Sequence, residues 1–232
     1  MAVRGAQVTH LAAHLARLHR GLDVLGFEAP VDDGEIGHAL EHVVQANAIT
    51  EGVLRLTLTR GPAPRGLAGP EKPSPSLIIT GATQDLDLGR PVAAIIATCT
   101  RRNEHSPLSR IKSLNYLDNI LAVREARQQG ADEALLLNGA GNLVSASAAN
   151  LFAVIDGELV TPPASDGVLE GVMRAEVLRV LGGTERTLTP GDLARASEVF
   201  LTNSLSIRPL TKVDGVEIGT GPITEQAQKL VC

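Results

Sequence analysis

The sequence predicts an α+β fold in two parts, a small first domain over residues 1–105 and a larger second domain over 106–232. Three features lead there. Apolar residues recur at spacings of three and four around 11–25, 36–44 and 113–129, which gives each helix one buried stripe. Other apolar stretches are short and bounded by turn-formers, which is the signature of strands. In the second half, Asp156-Gly157 and Asp214-Gly215 are favoured hairpin dipeptides, so the strands around them are expected to form a meander with a barrel-like course.

Taken in order, Thr9 is placed to cap a first helix that buries Leu11, Leu15, Leu18, Leu22 and Leu25 and closes at Gly26. A second helix is expected after Asp33, burying Ile36, Leu40, Val43 and Val44. From Leu54 to Leu58 leucines alternate with Arg55 and Thr57, the two-residue period of a half-buried strand. Further strands are expected at Leu77–Thr80 and Val92–Ala97, completing the first domain. Pro62 to Pro75 is too rich in proline for either a sheet or a helix and reads as a long surface loop. An amphipathic helix is predicted over Ser113–Gln129, ended by Gly130, with Lys112 at its start. Strands at Ala134–Leu137, Leu151–Ile155 and Glu158–Thr161, a helix over Val172–Leu181, a strand at Val199–Thr202 and a short C-terminal helix complete the second domain.

Composition excludes several classes of function. A chain of 232 residues with 44% hydrophobic residues can bury a substantial core. Its net charge of −5 and the lack of any long run of like charge give it no attraction for a phosphate backbone, so nucleic acid is not an expected partner. The apolar runs are too short to cross a bilayer and the first residues lack a signal-peptide pattern, which points to a cytoplasmic protein with no membrane partner. Its two cysteines, Cys99 and Cys232, form no C-x-x-C and no cluster with histidine at ligand spacing, so no metal site is expected.

Candidate chemistry concentrates in the second half. Lys112, at the expected helix start and beside Arg110, faces two influences that favour a neutral, nucleophilic amine of the kind that forms imines. Gly171-Val172-Met173-Arg174 opens a helix whose first amides are unpaired and point outward as an anion cradle. Thr202-Asn203-Ser204, at the end of an apolar strand, offers hydroxyl and amide donors for the same anion. Gly139-Ala140-Gly141 lacks the third glycine of a dinucleotide fingerprint and reads as a turn. Of the six histidines, only His105, in the segment leading to Lys112, is placed near a site; His10, His14 and His19 on the first helix read as structural or solvated.

Several ordered segments resemble the class IV, or fold type IV, aminotransferases, a family that includes branched-chain and D-amino acid aminotransferases and aminodeoxychorismate lyases. Ile111-Lys112-Ser113-Leu114-Asn115-Tyr116-Leu117 is similar to the family's Schiff-base lysine segment. Ser147-Ala148-Ala149-Asn150-Leu151-Phe152 and Asp156-Gly157-Glu158-Leu159-Val160-Thr161-Pro162-Pro163 resemble the strand pair lining the cofactor. Leu169-Glu170-Gly171-Val172-Met173-Arg174 and Phe200-Leu201-Thr202-Asn203-Ser204 resemble the two phosphate-contacting segments, and His14-Leu15-Ala16-Arg17-Leu18 resembles the motif whose arginine binds the phosphate.

The resemblance implies pyridoxal 5′-phosphate held as an aldimine on Lys112, which also shuttles protons at the substrate α-carbon. Arg17, Ser145, Asn150, Val172, Met173, Asn203 and Ser204 would complete the cofactor site, and Arg60, Arg65, Ala148 and Ala149 the substrate side. It implies transamination between an amino acid, branched-chain or D-configured, and a 2-oxo acid, with pyruvate-releasing lysis of aminodeoxychorismate and a degenerate non-catalytic protein as the alternatives, and a homodimer as the assembly. Two departures stand out. Where the family carries a glutamate against the pyridine nitrogen, five residues before the asparagine, this chain has Ser145, and transamination is expected to be slowed. The family's first strands normally precede the part resembled by Ala2-Val3-Arg4-Gly5, so the first domain is expected without them.

Overall fold

The computed structural model describes residues 1–84 and 89–231; Cys232 lies outside them. The chain divides into two compact units, Met1–Leu86 and Asp87–Cys232.

In the first unit, β1 (Ala2–Arg4), β2 (Gln7–Val8), β3 (Gly52–Thr59) and β4 (Ser76–Thr83) form an antiparallel sheet in the order β2-β1-β3-β4. Helices α1 (Leu11–Leu25) and α2 (Asp33–Ala46) share its core, where Leu15, Ile36, Leu40 and Val44 meet Val3, Ile49 and Leu54. Of the expected α1 stripe, Leu15 and Leu22 are buried and Leu11 and Leu18 half-buried, while Leu25 in the last turn is exposed; the Gly26 stop is present, with Gly26 in the left-handed region. Its N-cap is His10 rather than Thr9, because the Thr9 hydroxyl donates to the Ala2 carbonyl at 3.3 Å and is spent on β1. Asp32 and Glu35 cap α2 reciprocally, one residue before the expected start. Residues 60–75 form no helix or strand, as their prolines required.

The second unit contains β5 (Val92–Ile96), α3 (Leu117–Gln128), β6 (Glu133–Leu137), β7 (Leu143–Ala146), β8 (Asn150–Ile155), β9 (Glu158–Thr161), α4 (Val172–Leu181), β10 (Thr184–Glu185), α5 (Pro190–Leu193), β11 (Ala196–Thr202), β12 (Ile207–Val213), β13 (Val216–Glu217) and α6 (Pro222–Gln228). The sheet runs β10-β9-β8-β11-β12-β5-β6-β7, and β7 pairs back onto β8, so the strands from β8 to β7 close into a ring. The meander is only part of this path, because β5 lies parallel to both β12 and β6. That pairing also places β5, expected with the first domain, in the second sheet, so the compact units divide at 86/87 where the sequence suggested 105/106.

Alternation sorts the ring's two faces. Leu151, Ala153, Ile155, Val199 and Leu201 point inward to one core. Outside, α3 packs Ala122 and Ala126 against Ile95, Ala134 and Leu136, while α4 packs Met173 and Val177 against Phe152 and Phe200, whose rings stack at 5.1 Å.

Candidate active site

A polar row crosses the outer face of the ring. Ser145 on β7 pairs with Asn150 on β8, and Asn150 pairs with Thr202 on β11. Directly opposed residues of antiparallel strands project to the same side, so all three face outward with Phe152 and Phe200, the side that carries α4. Ser145 is half-buried, while Asn150 and Thr202 are buried. Among the described residues the Thr202 hydroxyl has no hydrogen-bond partner, a costly condition for a buried group and one that a ligand oxygen would relieve.

Asn150 is tied to the start of α4. Its Nδ2 donates to the Leu169 carbonyl at 2.8 Å, and a Cβ placed on Gly171 would lie 2.0 Å from its Oδ1. Only a glycine therefore lets the chain pass this close. The first bond of α4 runs from the Ala175 amide to the Gly171 carbonyl at 3.0 Å, and no side chain caps Gly171. The amides of Val172, Met173 and Arg174 precede that bond, at the end of the helix where backbone donors have no partner within the helix. Arg174 is buried and turned away, donating to the Pro162 carbonyl and to Glu185.

Lys112 does not start a helix. α3 begins at Leu117, because the Ser113 hydroxyl accepts the Asn115 amide at 3.3 Å and the Tyr116 amide bonds the Leu114 carbonyl, local turns that compete with helical bonds. The influence of a helix terminus fades within one turn, and the Arg110 guanidinium is turned to the Glu104 carbonyl at 3.1 Å, so neither expected influence on the amine is in place. What the exposed amine meets is Tyr116: Nζ donates to its hydroxyl and stands 4.0 Å from its ring centroid.

Tyr116 is the functional candidate that residue-by-residue reading missed. The i, i+4 spacing from Lys112 and its being the chain's one tyrosine were the available signals. Tyr116 also lines a groove of about 640 Å³ with Asn119, Ile120, Ser147 and Ala148, so one of the expected substrate-side residues shares a cavity with the lysine's partner. The turn carrying Ala148 is held from beneath: Asn119 donates to the Ser147 carbonyl at 2.6 Å, and the buried Glu133 carboxylate accepts from the Ser147 amide and hydroxyl. Ala149 is half-buried, and its carbonyl accepts the Ala146 amide.

At the end of β11, the Asn203 side-chain oxygen accepts the amides of Leu205 and Ser206 at 2.8 and 3.1 Å. It thus builds the turn to β12 rather than offering that oxygen to a ligand, while Ser204 is half-buried beside it. His105 is exposed, with its amide bonded to Asn103.

Arg17, Arg60 and Arg65 belong to the first unit. Arg17 is half-buried and contacts His14 Nδ1 at 3.4 Å. Burial, followed by the amino-terminal charge, Arg17 and His10, brings the His14 pKa down to about 3, so at neutral pH it accepts from Arg17 and does not repel it. Arg60 and Arg65 are exposed, Arg60 lying over Gly69 of its own loop.

The family model "Amino-transferase class IV" matches residues 1–213. The chain belongs to the class IV aminotransferase family. It is 30% identical to the D-alanine aminotransferase of Bacillus licheniformis over 94% of this chain and 80% of the relative. Among solved structures it superposes on a Legionella pneumophila protein provisionally named 4-amino-4-deoxychorismate lyase, with TM-score 0.92, 30% identity, and coverage of 99% of this chain and 87% of the other. A branched-chain aminotransferase from the archaeon Thermoproteus uzoniensis, solved with norvaline, gives TM-score 0.91 and 29% identity, covering 99% and 81%. These matches make this class IV aminotransferase a fold type IV protein and an enzyme of the aminotransferase kind.

Proposed function

We propose that this class IV aminotransferase uses pyridoxal 5′-phosphate on Lys112 to move an amino group between an amino acid, branched-chain or D-configured, and a 2-oxo acid. The observation that carries the proposal is the orphaned Thr202 hydroxyl, buried on the face that bears the uncapped start of α4, in the same unit as an exposed amine that has a phenol as partner. An unpaired hydroxyl and free amides suit a phosphate ester, and an amine suits an aldehyde, so these residues fit the cofactor. The Thermoproteus uzoniensis relative, solved with the amino acid norvaline, lends support to an amino acid as the substrate.

When bound, the cofactor supplies an electron-withdrawing ring that lowers the cost of removing a proton from the carbon bearing the amino group. The α4 amides of Val172 and Met173, with the hydroxyls of Thr202 and Ser204 in the same unit, would bind the phosphate. Lys112 holds the cofactor and carries the proton at the substrate α-carbon, and the Tyr116 hydroxyl orients the amine. Ser145 places a neutral hydroxyl, and Asn150 holds the helix start against the sheet. The exposed apolar side chains of Leu114, Leu117, Ile120 and Leu121 favour a homodimer covering this face, which sedimentation velocity measures directly.

The test is reduction with borohydride after adding the cofactor, followed by peptide mapping. Modification at Lys112 together with amino transfer to a 2-oxo acid is the expected result; an unmodified Lys112 would sink the proposal. The likeness to the Legionella protein favours one second function, release of pyruvate from aminodeoxychorismate. Robust pyruvate release with no amino transfer would establish it in place of the first.

A further inference from the structure

Between the Lys112 segment and the segment leading into α4 lies a junction whose parts are far apart in sequence. The Arg102 amide donates to the Leu137 carbonyl at 2.8 Å, which roots the residue at the end of β6. From there its guanidinium donates to the Ser109 carbonyl at 2.5 Å, three residues before Lys112, and to the Gly167 carbonyl at 3.3 Å, four before Gly171. Around it the two segments are packed together. A Cβ on Gly167, which has φ of +95°, would lie 3.1 Å from Glu104 Cα. The Glu104 carboxylate accepts the amides of Gly139 and Ala140, and Asn138 donates to the Asp166 carbonyl at 3.3 Å.

A guanidinium in this position is unusual in its partners. Among the described residues no carboxylate lies within ion-pair distance of Arg102, and its side-chain hydrogen bonds go to backbone carbonyls. Burial also lowers its pKa. Tyr116 and Asp118 offset that burial only from a distance, and a half-buried cation with no direct ion pair among the described residues contributes little to stability for the desolvation it costs. A planar fork is, however, well suited to holding two carbonyls from different segments at a set separation, which a point-like ammonium does poorly.

We infer that Arg102 is a positioning residue that sets the reach between Lys112 and the α4 anion cradle, by clamping the Ser109 and Gly167 carbonyls. This rests on the proposed function, in which one ligand engages both the amine and the cradle. A ligand held at two points gains from an effective concentration fixed by their separation, and loses that gain when the separation is no longer held. Arg102 touches neither the ligand nor the reacting atoms in this scheme.

The test separates the two points of attachment. Pyridoxine 5′-phosphate lacks the aldehyde and reports the cradle alone; pyridoxal lacks the phosphate and reports the amine alone; pyridoxal 5′-phosphate needs both. Binding of each is measured by absorbance and fluorescence titration for the wild type and for Arg102→Met, Arg102→Lys and Gly167→Ala, the last opening the same junction from its other side. The expected result is that pyridoxal 5′-phosphate weakens about tenfold or more in each variant while the two single-point probes stay within about threefold. Unchanged affinity for pyridoxal 5′-phosphate overturns the inference, as does an equal loss for all three probes, which marks general loss of structure. If borohydride fixes no cofactor on Lys112 of the wild type, the proposed function falls and this inference with it; a wild type that binds alongside variants that bind equally well overturns the inference alone.

Discussion

Gly171→Ala tests how the helix start is seated. The glycine has φ of −73°, which alanine adopts freely, so the cost comes from space alone. The added Cβ would fall 2.0 Å from Asn150 Oδ1 and 3.2 Å from Cγ. The carboxamide must swing away, which breaks its 2.8 Å bond to the carbonyl of the half-buried Leu169. Losing that bond costs about 1–1.5 kcal/mol and the forced repacking about 1–3 kcal/mol, so the variant is expected to lose roughly 2–4 kcal/mol. Asn150→Ala alone leaves the Leu169 carbonyl short of a donor and costs about 1–3 kcal/mol. In the double variant the clash has no partner, so the two losses should fall short of additivity by about 1.5 kcal/mol or more. Urea unfolding of the four proteins, monitored by circular dichroism, measures the cycle. Additive losses would refute the close approach of Asn150 to the helix start. Binding of pyridoxine 5′-phosphate adds a functional check, since moving the first amides of α4 should weaken Gly171→Ala more than Asn150→Ala.

Other outcomes are expected elsewhere. Ser145→Glu places a carboxylate in the polar row beside Asn150; restoring a charge-assisted hydrogen bond worth roughly 1.5–3 kcal/mol should raise single-turnover amino transfer about ten- to a hundredfold, and an unchanged or lower rate would mean that the site is tuned around a neutral group. Tyr116→Phe keeps the ring beside Lys112 but removes the hydroxyl that the amine donates to, and turnover should drop about tenfold with less change in KM. For His14, the folded value of about 3 lies below the unfolded value of 6.5, so between those limits the unfolded chain binds the extra proton and stability rises with pH. The folded state is disfavoured by about 2 kcal/mol at about pH 5 from this group, and His14→Gln should flatten the dependence of the urea midpoint on pH across that window.

Much of the local structure was legible from the residues. The α1 and α2 stripes, the β3 alternation, the two Asp-Gly hairpins and the start of α4 at Val172 depend on periods and turn chemistry that act over a few residues. Asp156 and Asp214 have φ of 54° and 46° and the glycines after them 84° and 83°, the conformation that hairpin chemistry anticipates. Less legible were β7, a short strand whose half-buried Ser145 interrupts its apolar pattern, and the true start of α3, where Ser113 and Leu114 form turns in place of helical bonds. Thr202 was visible as a polar residue at a strand end, but nothing in its neighbours showed that its hydroxyl would be buried and unpaired.

By itself the sequence determined the helix stripes, the Asp-Gly turns and the chemical types available: an amine at 112, a glycine-led helix start at 171, and a hydroxyl where a carboxylate was expected at 145. Tertiary structure alone decided that β5 joins the second sheet, that Ser145, Asn150 and Thr202 form one row, and that Tyr116 meets the lysine. The physical reason is range. Helical and turn preferences are settled by neighbours a few residues apart, whereas strand pairing, desolvation and the close approach at Gly171 depend on segments that only the folded chain brings into contact.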